Sequence, residues 1–195
     1  MATGYYSYEE LKNIGVELSG DNIQISNKIS LYNAEKIKIG NNVRIDDFVI
    51  LIGPIEIGNY IHIGAGSILT GGDQGIVVED FVGISSGCKI FSVSDDYSGD
   101  SLTNPTIPKI FKNIMSNKIV LGKHSLIGSN SVILPSSGGL AQGVSVGALS
   151  LVKRPTTPFG IYFGCPAKRI GNRSQEVLRL EKEFLTMKET GKIIN

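Results

Sequence analysis

A chain of 195 residues with 41% hydrophobic content supports one cored domain and leaves too little for two of ordinary size. Nineteen Lys and Arg face eighteen Asp and Glu, a net charge of +1, which excludes a general nucleic-acid binder and a basic membrane-surface protein. The two cysteines, Cys88 and Cys165, show no metal or redox spacing and read as free thiols of a reducing compartment; no segment approaches the roughly 20 apolar residues of a membrane span.

The opening MATGYYSYEE lacks the charged start and apolar run of a signal peptide, so the cytoplasm is the expected location. Within this N-terminal segment, residues 1–20, Ser7 and Glu10 form a capping box, which predicts a short helix reaching about Ile14 and stopped by Gly15. Residues 21–153 then read in sixes. IGNNVR, IDDFVI, LIGPIE, IGNYIH and IGAGSI are led by Ile39, Ile45, Leu51, Ile57 and Ile63; Ile25 and Leu31 begin the series. After a short break at GGDQGIV the phase returns at Val78, Ile84 and Ile90, and later at Leu121, Ile127, Ile133, Leu140 and Val146. Each six makes a short strand with inward aliphatic residues and a turn in which Gly, Asn and Asp accept positive φ. Three sixes close a triangular coil, and a coil that cannot bury its own side chains must stack on others. The expected interior columns are Ile39, Ile57, Val78, Leu121, Leu140; Ile45, Ile63, Ile84, Ile127, Val146; and Leu51, Leu69, Ile90, Ile133, Val152. A β-sandwich would set its turns irregularly, roughly every 8–12 residues, and would not hold this phase.

The long break at 91–120 has two prolines and little periodicity, but its Tyr97, Leu102, Ile107, Ile110, Phe111 and Ile114 argue for an ordered arm lying across a neighbouring subunit. Beyond 153, the extension to 195 carries SQEVLRLEKEFLTMKETG, a helix from Ser174 with Val177, Leu180, Phe184 and Met187 on the face that packs on the solenoid.

These repeats resemble those of the hexapeptide-repeat acyltransferases, from about Ile25 to about Arg173, and the SDDYSG…TNPT arm is similar to that of galactoside O-acetyltransferase-like enzymes of surface-polysaccharide synthesis. The resemblance implies a mainly β fold, a left-handed parallel β-helix assembled as a homotrimer. It also implies acetyl-CoA as donor, with a sugar or sugar-nucleotide acceptor and without metal, nucleic-acid partner or membrane insertion. In such enzymes a catalytic base stands where the arm leaves the coil; here that place falls on Asp96, and the arm has no histidine. His62 precedes the inward Ile63 and therefore points outward, which makes it the expected base, with Asp96 as its partner or the acceptor's. Asp95, Tyr97 and Arg44 are assigned to the acceptor, although SDDYSGD also reads as an Asx-turn cluster in which neighbouring Asp95 and Asp96 cannot face the same way along a strand. His124, in the turn GKHSL, is expected to be solvated. The resemblance lays the pantetheine arm past small residues at Ser129, Gly147 and Ala148, and the phosphates near Lys153, Arg154, Lys168 and Arg169, the last pair within the family-like GCPAKRIG.

The implied reaction is acetyl transfer to an amino or hydroxyl group of a sugar, with an amine favoured because it needs less help from a base. An antibiotic acetyltransferase shares fold and coenzyme. A γ-class carbonic anhydrase needs three histidines where this chain has two, and a binding solenoid without catalysis would lack the arm and the terminal cations.

Overall fold

A computed structural model describes residues 4–191. The chain winds into a three-sided solenoid, and successive strands pass to successive walls. The first wall runs from Glu17–Leu18 through Ile37–Ile39, Ile55–Ile57, Ile76–Val78 and Ile119–Leu121 to Gly139–Leu140. The second runs from Ile23–Ile25 through Val43–Ile45, Ile61–Ile63, Gly83–Ile84, Leu126–Ile127 and Ser145–Val146 to Gly160–Phe163. Ser30–Tyr32, Ile50–Ile52, Ile68–Thr70, Lys89–Phe91, Val132–Ile133 and Leu151–Val152 make the third. All these pairings are parallel, as the repeat foretold, and the architecture is the left-handed β-helix that the family resemblance implied.

The three expected columns are present rung by rung. Ile39, Ile57, Val78, Leu121 and Leu140 stand in register, as do Ile45, Ile63, Ile84, Ile127 and Val146 and Leu51, Leu69, Ile90, Ile133 and Val152. All are buried; each contributes about 1.5–3 kcal/mol by leaving water. A buried column of Ser67, Cys88, Ser131 and Ser150 runs beside the third wall. Ser67 Oγ accepts from Cys88 N at 3.2 Å and Ser131 Oγ from Ser150 N at 3.2 Å. Cys88 takes a serine's place there, its Sγ donating to the Gly128 carbonyl at 3.3 Å. Burial pushes its thiol pKa up and keeps it inert.

The turns hold a departure from expectation. At the corner between first and second walls the left-handed position is filled by Asn22, Asn42, Tyr60, Phe81, His124, Gly143 and Phe159, with φ of 55°, 56°, 58°, 61°, 63°, 70° and 53°. Large side chains there cost about 1–2 kcal/mol each. Stacking offsets it: the Tyr60 and Phe81 rings lie 4.7 Å apart at 10°, and Phe81 and His124 lie 5.1 Å apart at 21°.

Helix α1, Tyr8–Ile14, has the predicted capping box, with Ser7 N donating to Glu10 Oε2 at 2.7 Å, and ends on left-handed Gly15. Above the first coil, Tyr6 N donates to the Ile25 carbonyl at 2.8 Å, and Tyr5 bridges antiparallel to Ser26. At the other end Lys168–Asn172 folds back antiparallel on Gly160–Phe163. The arm is shorter than the predicted 91–120: Phe91 still pairs with Thr70, and Ile119 resumes the first wall opposite Ile76. Its stem is an antiparallel ribbon of Val93–Ser94 and Met115–Ser116. Helix α2, Glu176–Glu189, begins two residues after the expected Ser174. Leu180 is exposed, and the helix instead turns Glu181, Phe184 and Lys188 onto the corner stack.

Candidate active site

The outward face of the second wall carries one side chain per coil, and register stacks Gln24, Arg44, His62, Gly83, Leu126 and Ser145 in a line. His62 is exposed, as an outward position requires. Its Nε2 lies 2.8 Å from Asp46 Oδ2, and Arg44 Nε donates to Asp46 Oδ1 at 2.8 Å. Partial burial opposes the charge on Asp46, but the hydrogen bonds and charges of His62 and Arg44 outweigh it, so its pKa lies below the ordinary carboxylate value. Gly83, next below His62, has no side chain, and a Cβ there would come 3.1 Å from Leu126 Cδ1. The imidazole thus has a bare glycine as its neighbour, and the Leu126 side chain leans over that glycine.

A concavity lies at the foot of the arm. Ser94, Asp95, Asp96, Tyr97, Asn113, Met115 and Leu134 line a cleft of about 560 Å³. The strand ends at Ser94, so strict alternation no longer applies, and both aspartates border the cleft. Asp96 accepts from Ser98 N at 2.8 Å, Ser98 Oγ at 2.9 Å and Ser101 Oγ at 3.0 Å; these bonds, the backbone one foremost, hold its pKa low. Asp95 Oδ2 accepts from Asn104 N at 3.3 Å, and Tyr97 is 92% exposed. The Asx-turn reading of SDDYSGD therefore holds alongside the cleft.

The structure does not pair His62 with Asp96. No hydrogen bond or ion pair among the described residues joins them, because His62 sits on the second wall while the arm leaves the third. Its partner is Asp46. That residue was readable: Arg44 lies one coil, eighteen residues, before His62, and Asp46 follows two places on, facing the same side. His124 is also unlike its expectation. It is buried, with Nε2 2.8 Å from Glu181 Oε2, because α2 covers its corner.

Toward the closed end, Ser129 is half-buried and its carbonyl accepts from Leu149 N at 2.9 Å. Gly147 is small for a packing reason: a Cβ would lie 2.2 Å from Phe163 Cδ2. Ala148 is exposed beside Leu149, which is 72% exposed. Lys153, Arg154, Lys168 and Arg169 are all exposed, and none forms an ion pair among the described residues. Four uncompensated cations at one end of a nearly neutral chain are suited to phosphates. Among the described residues, no three His, Cys, Asp or Glu side chains converge as metal ligands, and no helix is long and apolar enough to cross a membrane.

Residues 36–71 match the family model described as bacterial transferase hexapeptide (six repeats). The chain is 40% identical over 183 residues to an Escherichia coli dTDP-4-amino-4,6-dideoxy-D-glucose acyltransferase, covering 92% of this chain and 94% of the relative. It superposes on the crystal structure of AntD, an N-acyltransferase from Bacillus cereus bound to dTDP and 3-hydroxybutyryl-CoA, with a TM-score of 0.93 and 45% identity over 96% of this chain and 99% of that one. A serine-to-alanine form of AntD, bound to dTDP-4-amino-4,6-dideoxyglucose and coenzyme A, superposes with a TM-score of 0.91 at 46% identity, covering 94% and 98%. Other AntD structures carry substitutions of an aspartate ten positions beyond that serine.

Proposed function

We propose that this chain, which belongs to the hexapeptide-repeat acyltransferases, moves an acyl group from acyl-coenzyme A onto the amine of a nucleotide-linked amino-deoxy sugar. The observation that carries the reading is near-full-length similarity to two acyltransferases, one named for such a sugar and the other seen with it. The arm agrees. It lacks a histidine, and an amine, once neutral, needs less from a base than a hydroxyl does. Ser85 with Asp95, and Ser86 with Asp96, reproduce the ten-residue spacing of the serine and aspartate altered in AntD.

His62 serves as base; Asp95 and Asp96 hold the acceptor, with Tyr97 and Arg44 at its margins. The wall of Ser129, Gly147 and Ala148 takes the pantetheine arm, and Lys153, Arg154, Lys168 and Arg169 meet the phosphates. A homotrimer supports both sites, since an arm crossing to the next subunit is what would bring Asp96 toward a second-wall histidine. The donor is acetyl-CoA or a short hydroxyacyl homologue. Reaction occurs in the cytoplasm on precursors of surface polysaccharide such as O-antigen.

Thiol release tests this. Purified enzyme with acetyl-CoA or 3-hydroxybutyryl-CoA is expected to turn over dTDP-4-amino-4,6-dideoxyglucose and to ignore its 4-hydroxy counterpart. Turnover of the hydroxyl sugar alone would transfer the enzyme to O-acylation.

A further inference from the structure

We infer that Asp46 is a positioning residue that fixes His62 in the tautomer protonated at Nε2, leaving Nδ1 as the atom that accepts the acceptor's proton. This rests on the acyl-transfer reading above and adds the residue and the ring atom through which the base works.

The geometry is specific. Asp46 Oδ2 is 2.8 Å from His62 Nε2, and an ionised carboxylate only accepts, so Nε2 carries the hydrogen. The neutral ring then has its lone pair on Nδ1, which has no hydrogen-bond partner among the described residues. Arg44 Nε, donating to the other oxygen at 2.8 Å, keeps the carboxylate from rotating. Asp46 is the less exposed of the pair, with its side chain 21% accessible against 51% for His62, so the anchor is firmer than the ring it holds. Gly83, the register neighbour of His62, adds no side chain beside the imidazole.

In the reaction the sugar ammonium first loses one proton to solvent. The neutral amine attacks the thioester carbonyl and forms the C–N bond. Nδ1 takes the proton that the nitrogen must shed, and the resulting imidazolium is stabilised by Asp46. As the C–S bond breaks, Nδ1 returns that proton to sulfur, giving coenzyme A thiol and amide.

Asp46→Asn is the decisive substitution. Arg44 continues to donate, so the asparagine carbonyl stays on its side and the amide NH₂ faces His62. Nε2 must then accept, which drives the ring to the Nδ1–H form. Nitrogen-15 spectra of the full-length protein report this directly. With only two histidines in the chain, the His62 signals are those missing from His62→Ala. Wild type is expected to show Nε2–H and Asp46→Asn to show Nδ1–H, with kcat lowered about 10²-fold, KM for the amino sugar little changed and an unaltered melting temperature. Retention of Nε2–H in Asp46→Asn, or full kcat despite the switched ring, would overturn the inference. Full turnover by His62→Ala removes the base and leaves acyl transfer standing. A wild-type enzyme inert toward every amino sugar overturns acyl transfer, while the ring spectrum still tests the hold of Asp46 on His62.

Discussion

Tyr60, Phe81 and His124 occupy backbone positions that suit glycine or asparagine, and they do so because three flat rings can pile on one another at successive coils. Strain and stacking are separable by substitution. Phe81→Ala keeps the unfavourable φ and loses the stack, whereas Phe81→Gly loses the stack and relieves the backbone. The alanine variant is therefore expected to melt below the glycine variant, by about 1 kcal/mol in unfolding free energy, and both below wild type. Equal melting of the two would show that the left-handed backbone costs nothing here. The same corner shows what the sequence conceals. His62 was readable as outward from its neighbour Ile63, and Asp46 from the eighteen-residue coil. The fate of His124 was not, since it depends on Glu181, 57 residues away, and on the angle at which a helix returns to the solenoid.

Helix α2 illustrates the limit of periodicity as a guide. An apolar stripe predicted which face turns inward, but Leu180 is exposed, while Glu181 and Lys188 make contacts no hydrophobicity pattern anticipates. Glu181 accepts from both Lys123 and His124; burial opposes its charge, but these two partners outweigh it and its pKa lies below the ordinary value. A carboxylate whose folded pKa is depressed contributes stability above its unfolded pKa and loses it as pH falls through the folded one. Protection of the Glu176–Glu189 amides, measured against their intrinsic exchange rates at each pH, is thus expected to be high at neutral pH and to fall once the pH drops beneath the usual carboxylate range. Glu181→Gln should show lower protection already at neutrality, with little further change in acid. Protection indifferent to pH in wild type would show that Phe184 alone holds the helix. The strands pose no such difficulty, because each inward residue is determined by its place in the six, whereas the arm obeys no period and only its existence was legible.

For the molecule as a whole, the third wall carries apolar residues outside as well as in: Ile50, Ile52, Ile68, Val132 and Leu151 are half-buried, and Tyr32 is 56% exposed. On the arm Ile110 is 85% and Phe111 55% exposed. Light scattering on the eluting protein is expected to give three times the mass of one chain, and Ile110→Asp with Phe111→Asp is expected to shift it toward monomer with loss of turnover. A monomeric active wild type would contradict the shared site. The two ends of the prism have a different consequence. A stack of parallel rungs is by its nature a template on which further rungs from other molecules can grow without limit. On the second wall the upper edge is taken up by the backbone of Tyr5 and Tyr6, and the lower edge reverses direction at Lys168–Asn172, so that on this wall a second prism finds no matching parallel ladder to extend. A geometry open to unlimited end-to-end growth is thereby blunted at both edges of one wall.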